Sequence, residues 1–312
     1  MPDSFQAFPH AGLALDPIHV GAGGSRLGRV DNTIVRDPVT RVPKVPGSSL
    51  AGVLRAYAAM ANERYPNCAG QGQARDDGSG GHCGNANCPI CTVFGFARGN
   101  AGGFAGLAAF TDAHVLLFPV ASREGPLWLT CPTALRLLTG LHDFREVTED
   151  KVFRISASPQ PVNLGWLMLP VQEFADGQNP DQALSGLDIP EYVRKRTALV
   201  SDKLFGHVVN SNLEVRTSVA IDPTTGAAEQ GALFTYEALP RATVLYWEVT
   251  CRNPAHFRIG SGDVGAVKDP DAVYAVVVGA HEYLEHLGIG GMGTRGMGRL
   301  RVLSGNGSAG AE

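Results

Sequence analysis

Four cysteines in one polar segment have the residue type and spacing of a metal site. They follow the pattern C-x14-C-x4-C-x2-C and are Cys68, Cys83, Cys88 and Cys91. Structural zinc sites use four tetrahedral ligands, and a CxxC turn supplies two of them from one loop. His82 is an alternative to one thiolate, and four free thiols are the alternative to a metal site. Because four protein ligands leave no position for a substrate, the pattern predicts a structural zinc ion.

The segment around these cysteines supports the prediction because it has few large apolar side chains. Residues 65–87 are mainly glycine, asparagine and other polar residues, and they cannot form a hydrophobic core of their own. A bound metal would order such a segment. We therefore expect a zinc-stabilised insertion over residues 65–95. The remaining cysteines, Cys131 and Cys251, lie in apolar contexts and are predicted to be buried.

A single carboxylate stands out in a region that is rich in glycine and arginine. The region runs from residue 19 to residue 55 and contains Asp31 among the arginines Arg26, Arg29, Arg36, Arg41 and Arg55. This composition is typical of a phosphate-binding loop, and it makes Asp31 a candidate catalytic residue. A structural salt bridge is the alternative for Asp31. Asp37 precedes Pro38 and is interpreted as a turn residue.

A second glycine-rich run lies near the C-terminus, at residues 288–299. Its glycines have the spacing of a phosphate loop, but the run follows a predicted helix and leads into a strand. A dinucleotide-binding fingerprint follows a strand and opens a helix, so this interpretation is disfavoured. The run instead predicts a backbone surface that phosphates can approach, with positive charge from Arg295 and Arg299. A tight turn between helix and strand is the alternative.

The overall composition excludes some classes of protein. Among 312 residues, 44% are hydrophobic, which is enough for a substantial core. The 26 lysines and arginines against 30 aspartates and glutamates give a net charge of -4, which argues against a uniformly basic nucleic-acid binder but not against a local contact. No apolar run reaches the about 18 residues of a membrane span. The N-terminal sequence lacks the pattern of a signal peptide, so we expect a cytoplasmic protein.

A mixed set of helices and strands must position these candidate residues. Hydrophobic spacing predicts helices over residues 50–61, 191–204 and 273–287 and a short helix over 131–138. Ser48 or Ser49 can cap the first helix. Strands are predicted over residues 13–20, 110–120, 127–130, 242–249 and 300–302. A hairpin is predicted from residues 215–219 and 232–237, because Asp222–Gly226 has turn chemistry.

Four segments, in order along the chain, resemble the RAMP superfamily. They are HVGAGGSRLGRVDNTIVRDPVTRVPKVPGSSLAGVLR, CPICTVFG with LAAFTDAHVLLFPVASREGPLWLTCP, VRTSVAIDPTTGAAEQGALFTYEALP and GIGGMGTRGMGRLRV. The resemblance extends over about residues 13–303 and is greatest to the backbone subunits of type III-B (Cmr) CRISPR effector complexes. The segment VDNTIVRDP is also similar to the type III-A (Csm) backbone subunit, which is the alternative subtype.

The resemblance implies an α+β fold that is formed by the whole chain, residues 1–312. In this family a modified RNA-recognition-motif (ferredoxin-like) domain forms a palm. The zinc-bearing insertion over residues 65–95 belongs to the fingers, and a thumb β-hairpin is expected over residues 205–240.

The resemblance also implies a function in antiviral defence. Copies of the chain would stack as a filament on a CRISPR guide RNA, together with other type III effector subunits. Target single-stranded RNA that pairs with the guide would be cut at regular intervals by an endoribonuclease site. The aspartate that the family requires for cutting matches Asp31, which would either bind Mg²⁺ or a similar divalent ion or act as a base. A guide-binding scaffold without cutting activity and a separate zinc- or nucleotide-dependent enzyme are the alternatives.

Predicted contacts to guide RNA follow from the same resemblance. The start of the helix at PGSSL presents free amides and a favourable dipole to phosphate. The predicted RNA-binding residues are Gly47, Ser48, Ser49, Arg55, Arg216, Gly291, Gly293, Arg295 and Gly296. A helix cap and a surface arginine are the alternative for the PGSSL residues.

Overall fold

The structure of the protein is a computed structural model. It describes residues 4–23, 30–71, 80–97, 102–138, 147–155, 158, 160–174, 179–229 and 232–303. Arg26 and Arg29 of the arginine-rich region lie outside the described residues, as does part of the predicted zinc-bearing insertion and of the predicted thumb. Among the helices in these ranges, none has the length and apolar character of a membrane span.

Strands and helices alternate irregularly along the chain. The strands are β1 (Phe5–Ala14), β2 (Lys44–Val45), β3 (Phe96–Ala97), β4 (Gly103–Phe104), β5 (Ala108–Phe110), β6 (Ala113–Val120), β7 (Leu127–Thr130), β8 (Val152–Arg154), β9 (Val162–Leu164), β10 (Leu167–Leu169), β11 (Val171–Glu173), β12 (Thr197–Leu199), β13 (Glu214–Ser218), β14 (Phe234–Ala238), β15 (Val244–Arg252), β16 (Arg258–Ile259), β17 (Gly262–Asp263) and β18 (Leu300–Leu303). The helices are α1 (Gly47–Ala61), α2 (Pro89–Phe94), α3 (Pro132–Leu135), α4 (Asp181–Ser185), α5 (Glu191–Arg194), α6 (Asp202–Ser211), α7 (Pro270–Val278) and α8 (His281–Leu287).

The first of two compact units contains the helices α1, α2, α7 and α8 together with several short strands. It contains Met1–His10, Pro46–Ala113 and Trp247–Gly288. Helix α1 packs against α2, α7, α8 and strand β5. Its fully buried side chains include Leu50, Leu54 and Ala58, which recur at the spacing of one helix face. The burial of this face holds α1 in place and so fixes the position of the PGSSL segment.

The second unit is built on a mixed sheet. It contains Ala11–Val45, His114–Tyr246 and Ile289–Glu312, and the strand order is β11-β8-β12-β7-β6-β15-β1-β18. Strand β12 is parallel to β7 and β11 is parallel to β8, whereas β6 with β7 and β1 with β18 are antiparallel. The central strands β7 and β12 are buried at every position, as expected for strands covered on both faces. The predicted mixed α and β architecture is confirmed, and the RNA-recognition-motif palm stays a prediction.

A separate two-stranded sheet in the second unit coincides with the predicted hairpin. Strands β13 and β14 are antiparallel, with Arg216 opposite Tyr236 and Ser218 opposite Phe234. The intervening turn is closed by the amide of Gly226, which donates to the carbonyl of Asp222 at 2.8 Å. The role of this hairpin as a thumb stays a prediction.

Several predicted elements are divided in the structure. The helix predicted over 191–204 is wrong, because α5 ends at Arg194 and Thr197–Leu199 forms β12 between β7 and β8. A short apolar run that is buried between two strands has no periodicity that distinguishes it from a helix. The helix predicted over 273–287 is two helices separated at Gly279 and Ala280, and the strand predicted over 110–120 is broken after Phe110.

Candidate functional site

Asp31 is fixed on the β13–β14 hairpin by one threonine. Its Oδ2 accepts hydrogen bonds from the backbone amide of Thr235 at 2.8 Å and from the Thr235 hydroxyl at 2.9 Å. The Asp31 amide donates in return to the Thr235 hydroxyl oxygen at 3.1 Å. The backbone amide of Thr235, and after it the hydroxyl, hold the pKa of the Asp31 carboxyl below its usual range. Asp31 is therefore an exposed, oriented and ionised carboxylate at neutral pH.

The backbone next to Asp31 runs along β14 and reinforces this position. The amide of Asn32 donates to the carbonyl of Thr235 at 3.0 Å, and the amide of Glu237 donates to the carbonyl of Asn32 at 3.0 Å. Arg36, from the same arginine-rich region, forms an ion pair with Glu237 at 2.8 Å. Arg36 also donates to the side-chain oxygen of Asn210 at 2.9 Å. Arg36 thus has a structural role in holding the loop on the hairpin.

A groove beside Asp31 is large enough for a segment of a nucleotide chain. Its volume is about 1170 Å³, and Val30 and Thr33, which flank Asp31, are among its lining residues. The lining also includes Trp166, the basic residues Lys203 and His207, and the acidic residues Asp202 and Glu237. The Trp166 side chain is 79% exposed, which is unusual for so large an apolar group. The groove therefore offers an exposed aromatic face near Asp31, in a lining that has both basic and acidic groups.

The glycine-rich C-terminal run packs closely against residues that precede the Asp31 loop. Gly290 has φ +88°, and a Cβ there would lie 2.3 Å from the carbonyl oxygen of His19. The amide of Gly291 donates to the same oxygen at 2.8 Å. Met297 is buried with Tyr236, so the run also packs on β14. The glycines thus allow a tight turn with close backbone contacts, and a short 3-10 helix runs from Gly293 to Arg295.

The two predicted RNA-binding arginines of the second unit meet at the hairpin. Arg295 lies over the ring of Phe234, with 5.8 Å from the guanidinium carbon to the ring centroid, and its Nη1 donates to the Ser218 hydroxyl at 3.3 Å. Arg216 donates to Glu214 at 2.6 Å and reaches the carbonyl of Gly296 at 3.5 Å. Because Phe234 precedes Thr235, the same stretch of β14 contacts both Arg295 and the candidate catalytic carboxylate.

The predicted guide contacts at PGSSL lie in the first unit, at the start of α1. The helix begins at Gly47 after Pro46, and no side chain caps it, so the predicted cap by Ser48 or Ser49 is wrong. The Asp112 carboxylate instead accepts a hydrogen bond from the Gly47 amide at 2.8 Å. The Ser48 side chain is exposed and Ser49 is half-buried.

Gly47 leaves no room for a side chain, which gives a prediction for stability. A Cβ at residue 47 would lie 2.4 Å from the carbonyl oxygen of Phe110. We expect Gly47→Ala to destabilise the protein by about 1–3 kcal/mol because backbone must move. The control is Gly52→Ala in the same helix, where a Cβ meets nothing within 4 Å and alanine should stabilise by about 1 kcal/mol. Urea unfolding measures both, and equal effects would contradict the packing argument.

The predicted cysteine cluster is assembled in the first unit. All four sulfur atoms lie within 4.8 Å of one another, and the group consists of Cys68, Cys83, Cys88 and Cys91. The Cys68–Cys88 and Cys83–Cys91 sulfur pairs are both 3.6 Å apart. Zinc–thiolate bonds of about 2.3 Å place sulfurs about 3.8 Å apart in a tetrahedron, so the geometry fits a thiophilic metal. A hydrogen bond from Cys91 lowers the pKa of the Cys88 thiol to about 4, and burial raises that of Cys68 to about 11.

Arg55 does not point into an open surface. Its Nε donates to the carbonyl of Cys68 at 2.7 Å, and its Nη1 donates to the carbonyl of Gly95 at 2.7 Å. The structure thus places Arg55 at the cysteine cluster, and its predicted contact with guide RNA stays a prediction. Sequence reasoning also missed Thr235, since a lone threonine in FTYEALP carries no pattern.

Comparisons with known proteins give the family. The RAMP superfamily model matches residues 13–301. The CRISPR system Cmr endoribonuclease Cmr4 of Pyrococcus furiosus is 27% identical, over 92% of each chain. The CRISPR system Cms endoribonuclease Csm3 of Methanothermobacter thermautotrophicus is 38% identical over 28% of each chain.

Solved structures agree on the fold. A chain in the type III-B Cmr-beta complex bound to cognate target RNA matches with a TM-score of 0.66 at 16% identity, over 97% of this chain and 98% of that one. A crystal structure of Cmr4 matches with a TM-score of 0.61 at 21% identity, over 96% of this chain and 98% of that one. The chain belongs to the RAMP superfamily.

Proposed function

We propose that the chain is a guide-RNA-binding backbone subunit of a type III-B CRISPR effector complex, in which it cleaves target RNA that pairs with the guide. The observation that carries this proposal is the Asp31 carboxylate, which Thr235 holds at a hairpin that also carries Arg216 and Arg295. A relative named as a Cmr endoribonuclease, matched over 92% of both chains, supports it. The complex would act in the cytoplasm, with several copies of the chain along one guide.

Cleavage needs little covalent chemistry from the protein, because RNA carries its own nucleophile. The 2′-hydroxyl can attack the adjacent phosphate when the backbone adopts in-line geometry. The groove beside Asp31 can admit the strand, and Trp166 offers a face on which a base of that strand can stack. Arg295 and Arg216 would neutralise phosphate charge near the cut.

The depressed pKa of Asp31 bears on its role in this reaction. A general base works best when its pKa is near the working pH, so a carboxylate with a lowered pKa is a weak proton acceptor. An ionised carboxylate together with phosphate oxygens suits Mg²⁺, which binds through one or two carboxylates and keeps several waters. We therefore assign Asp31 to holding a divalent ion, which would supply charge neutralisation at the phosphate.

The cysteine cluster has a different role. Four sulfurs at tetrahedral spacing fit zinc, and no open ligand position remains for a substrate. Zinc would therefore stabilise the insertion and take no part in cutting.

Guide binding in the second unit should depend on Arg295. We expect Arg295→Gln to weaken guide binding and to reduce the slope of log affinity against log salt by about 0.7, the value for one lost phosphate contact on a single strand. Arg295→Lys keeps the charge and should keep the slope. Filter binding over a salt series measures both. An unchanged slope in Arg295→Gln would remove Arg295 from the guide interface.

The proposal is tested with the chain co-expressed with a guide RNA and its partner subunits. We expect RNA of uniform length to co-purify, and labelled RNA to be cut only when it is complementary to the guide. A complex that binds both RNAs and leaves the target whole would be a scaffold. A chain that assembles with its partners but holds no RNA would contradict guide binding and cleavage alike.

A further inference from the structure

Arg55 is a half-buried arginine whose charge has no acidic partner in the part of the chain that the structure describes. Its Nε and Nη1 donate to backbone carbonyls of Cys68 and Gly95, and Nη1 also reaches the carbonyl of Phe94 at 3.5 Å. Its Nη2 is buried and makes no hydrogen bond to any described residue. Carbonyl dipoles compensate a guanidinium only in part, and an uncompensated buried charge is costly. The position of Arg55 therefore calls for a negative partner.

The cysteine cluster is the group that can supply this negative charge. Arg55 donates directly to the carbonyl of the proposed ligand Cys68. Gly95 follows helix α2, which contains Cys91 and is preceded by Cys88. Each of the four cysteines, when ionised, attracts the Arg55 guanidinium. Arg55 is thus within electrostatic reach of the whole cluster.

The charge state of the cluster depends on the metal. Without a metal, the four cysteines are not all thiolates, so the cluster has less negative charge and compensates Arg55 less. A divalent ion requires all four ligands as thiolates, so the loaded centre has a net charge of about -2. One guanidinium then neutralises half of that charge, and the carbonyl bonds of Arg55 tie the segments that carry the ligands to helix α1.

We propose that Arg55 is the positioning residue of the tetracysteine centre: it neutralises the metal-bound thiolates from α1 and makes metal loading and the packing of α1 depend on each other. The inference rests on the proposed thiophilic metal site. It gives Arg55 a role that is distinct from the predicted guide contact, since that contact needs a guanidinium exposed to RNA.

Metal affinity of the full-length chain tests this role without any measurement of RNA cleavage. Apo protein is titrated with Co²⁺, whose thiolate charge-transfer band reports ligation, and Zn²⁺ affinity follows from competition with a chromophoric chelator. We expect Arg55→Gln to weaken Zn²⁺ affinity 10- to 100-fold, the cost of about one outer partner of a metal ligand. Arg55→Lys keeps the charge but not the paired hydrogen bonds to the two carbonyls, and its Zn²⁺ affinity should fall less than that of Arg55→Gln.

The matched control is Arg196→Gln. Arg196 also clamps two backbone carbonyls, those of Pro126 and Glu124, at 2.6 Å each, but it belongs to the second unit. The Arg196→Gln substitution should therefore leave the metal affinity of the chain unchanged.

Thermal unfolding with and without Zn²⁺ distinguishes the proposed role of Arg55 at the metal centre from a purely structural role. We expect Arg55→Gln to destabilise the zinc-loaded chain more than the apo chain, because the loaded centre has more negative charge for the guanidinium to neutralise. Equal destabilisation of both forms would overturn the role of Arg55. Native chain that binds neither Co²⁺ nor Zn²⁺ would overturn the metal site itself, whereas tight binding that Arg55→Gln does not weaken would overturn only the role of Arg55.

Discussion

Replacing Asp31 with alanine is expected to slow target-RNA cleavage by about 10²- to 10⁴-fold, the range for loss of a positioned acid–base or charge-handling group. Guide and target binding should change little, because the Asp31 side chain is exposed and Thr235 is its hydrogen-bond partner on the hairpin. The measurement is the single-turnover rate on labelled target RNA with saturating complex. Separate rate and binding measurements distinguish a catalytic loss from failed assembly.

Two further variants make this prediction specific. Asp31→Asn keeps an oxygen that can accept from Thr235 but loses the charge, and we expect nearly the same loss of rate. Asp37→Asn removes a carboxylate from the same region whose Oδ1 accepts from the amides of Val39 and Thr40, as in a turn. A complex with Asp37→Asn should cut target RNA at close to the native rate. Cleavage by Asp31→Asn at the native rate would show that the charge on Asp31 is not needed.

Removing the metal from the cysteine cluster is expected to cost more than about 4 kcal/mol in unfolding free energy, an effect of the size reserved for a few causes such as a lost metal. Cys88 and Cys91 lie at the start of α2, whose Ile90 and Val93 are fully buried, while the preceding polar segment has no core of its own. Without the metal, the anchor of α2 is lost. Urea unfolding with and without a chelator measures the effect, and Cys88→Ser should reproduce it.

The control for this prediction is a cysteine outside the cluster. Cys251 is buried in β15, so Cys251→Ala should change stability but leave zinc stoichiometry at one per chain. Limited proteolysis provides a second readout, with new cuts expected between residues 68 and 94 after chelation. An unfolding curve that the chelator does not change would contradict the structural role of the metal.

Local sequence signals predicted the elements that have a strong hydrophobic periodicity or are flanked by turn residues and proline. Strand β7 begins and ends where it was predicted, because Leu127–Thr130 lies between turn residues and Pro132. Helix α1 was recognised from its apolar face. The helix predicted over 191–204 failed because Thr197–Leu199 is recruited by neighbouring strands, and such recruitment leaves no signal in a three-residue run.

The candidate site was predictable in its residues but not in its contacts. Asp31 and Arg295 stand in segments that resemble the family, and the cysteine spacing predicted the metal cluster. That Asp31 bonds Thr235 depends on a pairing across 204 positions, which only the folded chain creates. Arg55 was predicted to contact guide RNA because it lies shortly after the start of α1. Its long side chain instead reaches the cysteine cluster, and the sequence carries no signal for the rotamer that a side chain adopts.

Mapping of cut sites tests whether this chain cuts RNA under the direction of a guide, once for each copy in a filament. Target RNA labelled at its 5′ end is incubated with the assembled complex and Mg²⁺, and products are resolved at single-nucleotide resolution. We expect a ladder of cuts at one regular interval within the paired region, and no cut in unpaired RNA. A target that stays whole, or cuts scattered without a fixed interval, would contradict it.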